Sequence, residues 1–143
     1  MLQPIPYLAF NGNCADAMRF YAQVLGGKLG MMTNRHSPFA DKCAPEHLDR
    51  VMHARLELDG GVFLYASDCP ASMSYQGIHG VSLALNYDSV AKAEQVFNAL
   101  AEGGKVTMPF SDTFWAKKFG MVTDKFGCNW IVNGALIDIR LQG

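Results

Sequence analysis

The chain has 143 residues, half of them hydrophobic and 17% charged, with a formal net charge of −1. That length fits one domain and buries enough surface to hold a core without covalent staples. The near-neutral charge, with no block of like charges, argues against nucleic acid or an anionic membrane as a partner, and no apolar run approaches the ~20 residues of a membrane span.

The opening stretch, MLQPIPYLAF, lacks the basic-then-apolar order of a signal peptide. Cys14, Cys43, Cys69 and Cys128 are far apart and form no C-x-x-C. Reduced thiols and a cytoplasmic location are expected. Tyr7 to Asn11, YLAFN, is a short strand-like run. From Cys14, CADAMRFYAQVLGG places Met18, Tyr21, Ala22 and Leu25 on one stripe of an amphipathic helix. Asn13 is the expected N-cap, Asp16 sits in the first turn, and Gly26-Gly27 end the helix. A loop with His36 and His47 covers 34–50. Two strands, VMHARLEL and VFLYAS, then flank a turn at Asp59-Gly60-Gly61.

After a Pro-, Ser- and Gly-rich connector over 68–80, which holds His79, the pattern repeats. Ser82 to Asn86, SLALN, precedes a helix in which Val90, Ala93, Phe97 and Leu100 form the apolar stripe. Asp88 or Ser89 caps it, and Gly103-Gly104 end it. Two strands then flank a turn at Asp124-Lys125-Phe126-Gly127. The junctions GGKLGM and GGKVTM stand at equivalent places. The chain therefore reads as two copies of one module, strand-helix-strand-strand-strand, over about 5–67 and 81–133 of a single domain spanning 1–143. The expected fold class is α+β: two tandem βαβββ modules form a curved mixed sheet, helices on the convex face, with a cleft on the concave one.

Strand alternation assigns the faces. Met52, Ala54, Leu56 and Leu58 go under a helix, as do Val62, Leu64 and Ala66, then Val81, Leu83 and Leu85, then Trp130 and Val132. The cleft receives Val51, His53, Arg55 and Glu57; Phe63, Tyr65 and Ser67; Ser82, Ala84 and Asn86; Asn129, Ile131 and Asn133. This is the profile of a small-molecule pocket, apolar walls with a few orienting polar groups. Trp115, in the loop SDTFWAKKFG, is either a lid over the cleft or a packing residue. Asp68 and Asp112 read as turn residues. His53 is the one histidine on a strand, and it is either the general base of the pocket or a hydrogen-bonded structural imidazole. No G-x-S-x-G, and no Cys with a recognisable His base, supports nucleophilic catalysis.

The stretches YLAFNGNCADAMRFYAQVLGG, MHARLELDGGVFLYASD, GVSLALNYDS, LAEGGKVTMPFSDTFWAKKFGMVTDKFG and NWIVN cover most of the chain. They resemble the vicinal oxygen chelate superfamily of glyoxalases, extradiol dioxygenases and bleomycin resistance proteins, and within it the PhnB-like branch. The resemblance implies paired βαβββ modules, a ligand cleft and a homodimer. Superfamily enzymes hold a divalent metal on four strands with His and Glu or Gln. Counted by pattern, those positions fall on Pro6, Tyr65, Ser82 and Ile131, and a one-residue slip brings no His or carboxylate to any of them. No metal and no other cofactor is expected. Branch members are often labelled demethylubiquinone methyltransferase-like, yet no glycine-rich strand-to-helix turn is present to hold S-adenosylmethionine in the usual manner.

Two functions fit. One is an enzyme acting on a small organic molecule, with His53 catalytic and Tyr65, Ser82, Trp115, Phe63 and Asn129 binding substrate. The other is a non-catalytic binding or resistance protein.

Overall fold

The computed structural model describes residues 2–143. The strands hydrogen-bond into two four-stranded sheets, each with its own helix, and the chain divides into one compact unit ending at Gly77 and a second over Ile78–Gly143.

The first unit runs β1 (Tyr7–Phe10), α1 (Cys14–Leu25), β2 (Lys28–Thr33), β3 (Val51–Leu58) and β4 (Val62–Asp68), with sheet order β1-β4-β3-β2. β1 lies parallel to β4, and the other pairs are antiparallel. The second unit repeats the plan with β5 (Leu83–Tyr87), α2 (Val90–Ala101), β6 (Lys105–Ser111), β7 (Ala116–Thr123) and β8 (Asn129–Leu136), ordered β5-β8-β7-β6 with β5 parallel to β8. The α+β class and the paired βαβββ plan read from the sequence are the observed ones.

Each helix buries one stripe against its sheet. In α1 the buried set is Cys14, Ala17, Met18 and Tyr21, one turn earlier than the sequence stripe, so Ala22 and Leu25 are only half-buried. It packs over Ala54, Leu56, Leu64 and Ala66 on the buried side of sheet one, and Tyr21 meets the ring of Phe10 in β1. In α2 Ala93, Val96, Phe97 and Leu100 pack over Val122, Trp130 and Val132.

The helix starts differ. Ser89 Oγ accepts the Lys92 N–H at 3.1 Å, as a capping serine should. Asn13 makes no such cap; its Oδ1 takes the Asn11 N–H instead. The carboxylate of Asp68, at the end of β4, does that work from outside the helix. Its Oδ1 accepts the N–H groups of Gly12 (2.7 Å) and Cys14 (3.0 Å), and its Oδ2 accepts that of Val51 (2.8 Å). Asp68 is thus a buried three-donor acceptor that ties β3, β4 and α1 together, more than the turn residue the sequence suggested.

Alternation fails at three strand ends. Met32 pairs with His53 but Thr33 with Val51, so Met52 is the extra residue of a β-bulge. The phase slips there, and Val51 is buried while Met52 is partly exposed. Val62 and Val81, expected in the core, are 44% and 55% exposed, because one starts its strand and the other precedes β5.

Candidate functional site

Sheet one has a face without a helix, and register decides which side chains share it. With Leu8, Leu64, Ala54 and Leu56 turned to α1, the intervening residues Tyr7, Phe63, Tyr65, His53 and Arg55 lie on the opposite face. Tyr7 is the register partner of Tyr65, and Arg55 pairs with Tyr65 from the other side. The His53 ring stands 5.1 Å from that of Tyr65, edge-on at 70°, and 5.7 Å from that of Tyr7. The two tyrosine rings are 6.0 Å apart at 79°, and Phe63 extends the cluster at 6.0 Å from Tyr65. Such edge-to-face contacts contribute roughly 0.5–1.5 kcal/mol each and hold the rings at fixed angles.

The polar core of the cluster is one hydrogen bond, Tyr7 Oη to His53 Nδ1 at 3.0 Å. The tautomer sets its direction. Either way Nδ1 is engaged and Nε2 has no protein partner among the described residues, which leaves one nitrogen for a ligand. Arg55 is exposed beside Tyr65 and brings a cation.

Structure brings His53, Tyr65 and Phe63 together, and it adds Tyr7, which the sequence count missed in favour of Pro6. Pro6 contributes only its carbonyl, which accepts the Tyr65 N–H at 3.0 Å. The signal for Tyr7 was present: in YLAF, Leu8 and Phe10 are the core pair, so Tyr7 and Ala9 face the other way.

The remaining expected residues belong to unit two. Trp115 is anchored: its Nε1–H donates to Asn133 Oδ1 at 3.0 Å, and its ring lies 4.5 Å from Phe119. Asn133 in turn donates to Asn86 Oδ1 at 2.9 Å. This relay explains why Asn133, expected in the cleft, is buried. The exposed aromatic of that loop is Phe114. Asn129 is committed on both ends, accepting from Thr123 Oγ1 at 2.7 Å and donating to the Val81 carbonyl at 3.2 Å. Ser82 precedes β5 and is exposed. Asp112 faces Lys118 at 3.7 Å, a surface pair.

The superfamily metal can be tested against the residues present. In unit one the register pair at the expected height is Tyr7–Tyr65, and in unit two it is Ala84–Ile131. Among the described residues no group of three or more His, Cys, Asp and Glu converges. Neither pair, two phenols in the first unit or an alanine and an isoleucine in the second, offers the His and carboxylate donors that hold such an ion.

The model of the family described as 3-demethylubiquinone-9 3-methyltransferase matches residues 3–133, across both units. The chain belongs to this family. Its relatives include the protein YjdN of Escherichia coli, 34% identical over 139 residues that cover 90% of this chain and 92% of YjdN. Among solved structures, protein PA1353 from Pseudomonas aeruginosa is 51% identical with a TM-score of 0.87, covering 94% of this chain and 98% of that one. The PhnB protein of Bacillus cereus, 24% identical, shares the fold with a TM-score of 0.77 over 94% of this chain and all of its own. A glyoxylase/bleomycin resistance protein/dioxygenase domain from Frankia, 13% identical, shares the fold as well, with a TM-score of 0.64 over 94% of this chain and 98% of its own, so the fold is the one that the sequence resemblance implied. The family's methyltransferase description has no counterpart at the strand-to-helix turns. Asn11-Gly12-Asn13 carries one glycine and Asp88-Ser89 none, unlike a phosphate-binding or dinucleotide loop.

Proposed function

We propose that this PhnB-like protein binds a small, planar organic molecule bearing an anionic oxygen, on the helix-free face of its first sheet. The observation that carries this reading is the Tyr7–His53–Tyr65 cluster, with rings for stacking, an imidazole nitrogen for a directed hydrogen bond, and Arg55 beside them for charge. No metal takes part in the reading, because the donor set at the family positions does not suit one.

A second reading, catalysis, is favoured by the same 3.0 Å contact. In the tautomer whose Nδ1–H donates to the Tyr7 oxygen, the ring is fixed and Nε2 keeps its lone pair, so it can take a proton from an acidic C–H or O–H of the ligand. Phe63 widens the aromatic wall. Ser82, Trp115 and Asn129, expected as substrate contacts, enter the proposal only as residues of unit two whose substitution should not affect the primary contact. A cytoplasmic homodimer remains part of the proposal.

The test is ligand-detected NMR with the whole protein against a panel of substituted benzoates, phenols and enolised diketones. At least one class should bind wild type, and His53→Ala and Tyr65→Ala should each weaken it tenfold or more with the unfolding midpoint retained. Equal binding by wild type and Tyr65→Ala, or no binding across the panel, overturns the site. Incubation with excess ligand separates the two readings: a binder protects one equivalent, whereas an enzyme consumes the excess.

A further inference from the structure

The four cysteines fall into two classes. Cys14 and Cys128 are fully buried. Cys43 and Cys69 are partly exposed, and both line one cavity of about 440 Å³ in the first unit. His47, Arg50, Ser67 and Asp68 are among its other lining residues. Arg50 has no carboxylate partner among the described residues. Its Nη2 donates to Asn11 Oδ1 at 3.1 Å and to the Cys69 carbonyl at 2.9 Å, and it stands 3.8 Å from Cys69 Sγ. A guanidinium held by two hydrogen bonds against a solvent-reachable sulfur, with a second thiol across the same cavity, is the setting in which thiols react selectively.

The geometry points to a redox site: Cys69 is oxidised by hydrogen peroxide or a small organic hydroperoxide that enters this cavity, and Cys43 captures the product as an intramolecular disulfide. In the first step the Cys69 sulfur attacks one peroxide oxygen. An S–O bond forms and the O–O bond breaks; sulfur loses two electrons to the peroxide, and the departing oxygen leaves as water or alcohol with the thiol's proton. Arg50 stands beside the attacking sulfur, where its charge can favour the negative charge that gathers on the leaving oxygen. In the second step the Cys43 sulfur attacks Cys69 Sγ, an S–S bond forms, and the sulfenic oxygen leaves as water with the Cys43 proton.

Closure draws the two Cα atoms to about 5.5–6 Å. The segment that carries Cys43 is the part of the unit that can yield, since 34–50 holds only three-residue 3-10 turns between β2 and β3. The site uses none of the aromatic cluster's rings, so it stands independently of the proposed ligand.

The experiment is hydrogen peroxide titration of the full-length protein. Titratable thiols should fall from four to two, the intact mass should drop by two hydrogens, and peptide mapping should join Cys43 to Cys69. A thiol reductant should restore all four. Cys43→Ser should stop at a sulfenic acid on Cys69 that dimedone traps, and Arg50→Lys, which keeps the charge but not the fork, should slow thiol loss several-fold. An unchanged thiol count, separate over-oxidation of the two cysteines, or a bridge between two chains overturns the proposal.

Discussion

Tyr7 on β1 reaches across β4 to place its hydroxyl 3.0 Å from Nδ1 of His53 on β3. Neighbouring strands lie about 4.8 Å apart, so two strand spacings are bridged by one phenol and one imidazole. The bond is partly exposed, and its contribution to stability is correspondingly small, below about 1 kcal/mol. Its consequence is orientation. Tyr7→Phe should leave the urea midpoint nearly unchanged yet alter the ¹⁵N shifts of the His53 ring, because Nδ1 loses its hydrogen-bond partner. Identical ring shifts in Tyr7→Phe and wild type would mean the hydrogen bond is not populated in solution.

Asp68 supports a larger prediction. Its two oxygens accept three backbone N–H groups, and the residue is almost fully buried. In Asp68→Asn one oxygen can still serve Gly12 and Cys14, but the amide NH₂ then confronts the Val51 N–H, donor against donor. We expect a loss of about 2–3 kcal/mol in urea unfolding, with an unchanged m-value. Asp124 repeats the arrangement in the second unit: Oδ1 accepts from Phe126 (2.8 Å) and Cys128 (3.0 Å), and Oδ2 from the Trp130 indole (2.8 Å). Asp124→Asn should therefore cost a similar amount, and a cost below about 0.5 kcal/mol at both positions would show that the carboxylates are not the joints described.

Cys14 makes the stability depend on pH at the alkaline end. Burial, and then the nearby Asp68 carboxylate, push its thiol up to about 12 from an ordinary 9.0. The folded chain holds the proton where the unfolded chain has released it, so this contribution is complete below about pH 9 and is lost as pH rises towards 12. Three pH units correspond to at most about 4 kcal/mol. Tyr87, raised by burial, adds in the same direction. Denaturation curves from pH 8 to 11 should show falling stability, and Cys14→Ala should flatten that slope. An equal slope in the variant would place the alkaline transition elsewhere.

The sequence carried the plan of the fold because the signals were local: helix stripes, paired glycines and turn residues recur in the same order in both halves. What it hid was long-range. Asp68 caps a helix that begins 54 residues earlier, and no pattern around Asn13 announces it. The bulge at Met52 shifts alternation by one residue, which buried Val51 against expectation. Counting by motif gave Pro6 where register gives Tyr7, since only pairing with β4 fixes which residue stands beside Tyr65. Trp115 stayed open between lid and packing residue because its partner, Asn133, lies 18 residues away in sequence.

The doubled junction supplies the last prediction. Gly26 and Gly103 take positive φ at the helix ends, as a glycine after a helix should, but the second glycine of each pair is constrained by space. A Cβ on Gly27 would overlap the Glu57 carbonyl oxygen, and one on Gly104 the Thr123 carbonyl oxygen, at the matching point of β3 and β7. Backbone on a paired strand cannot swing aside as a side chain can. Gly104→Ala should thus lose about 1–3 kcal/mol. Gly27→Ala should lose more, because its φ of 98° adds strain for any residue with a Cβ. Gly30 in β2, with open space around it, is the control, and Gly30→Ala should stay within about 0.5 kcal/mol of wild type. Urea midpoints of the three variants decide it: if Gly104→Ala is as stable as Gly30→Ala, close approach of helix end to strand is not the reason the junction is written twice.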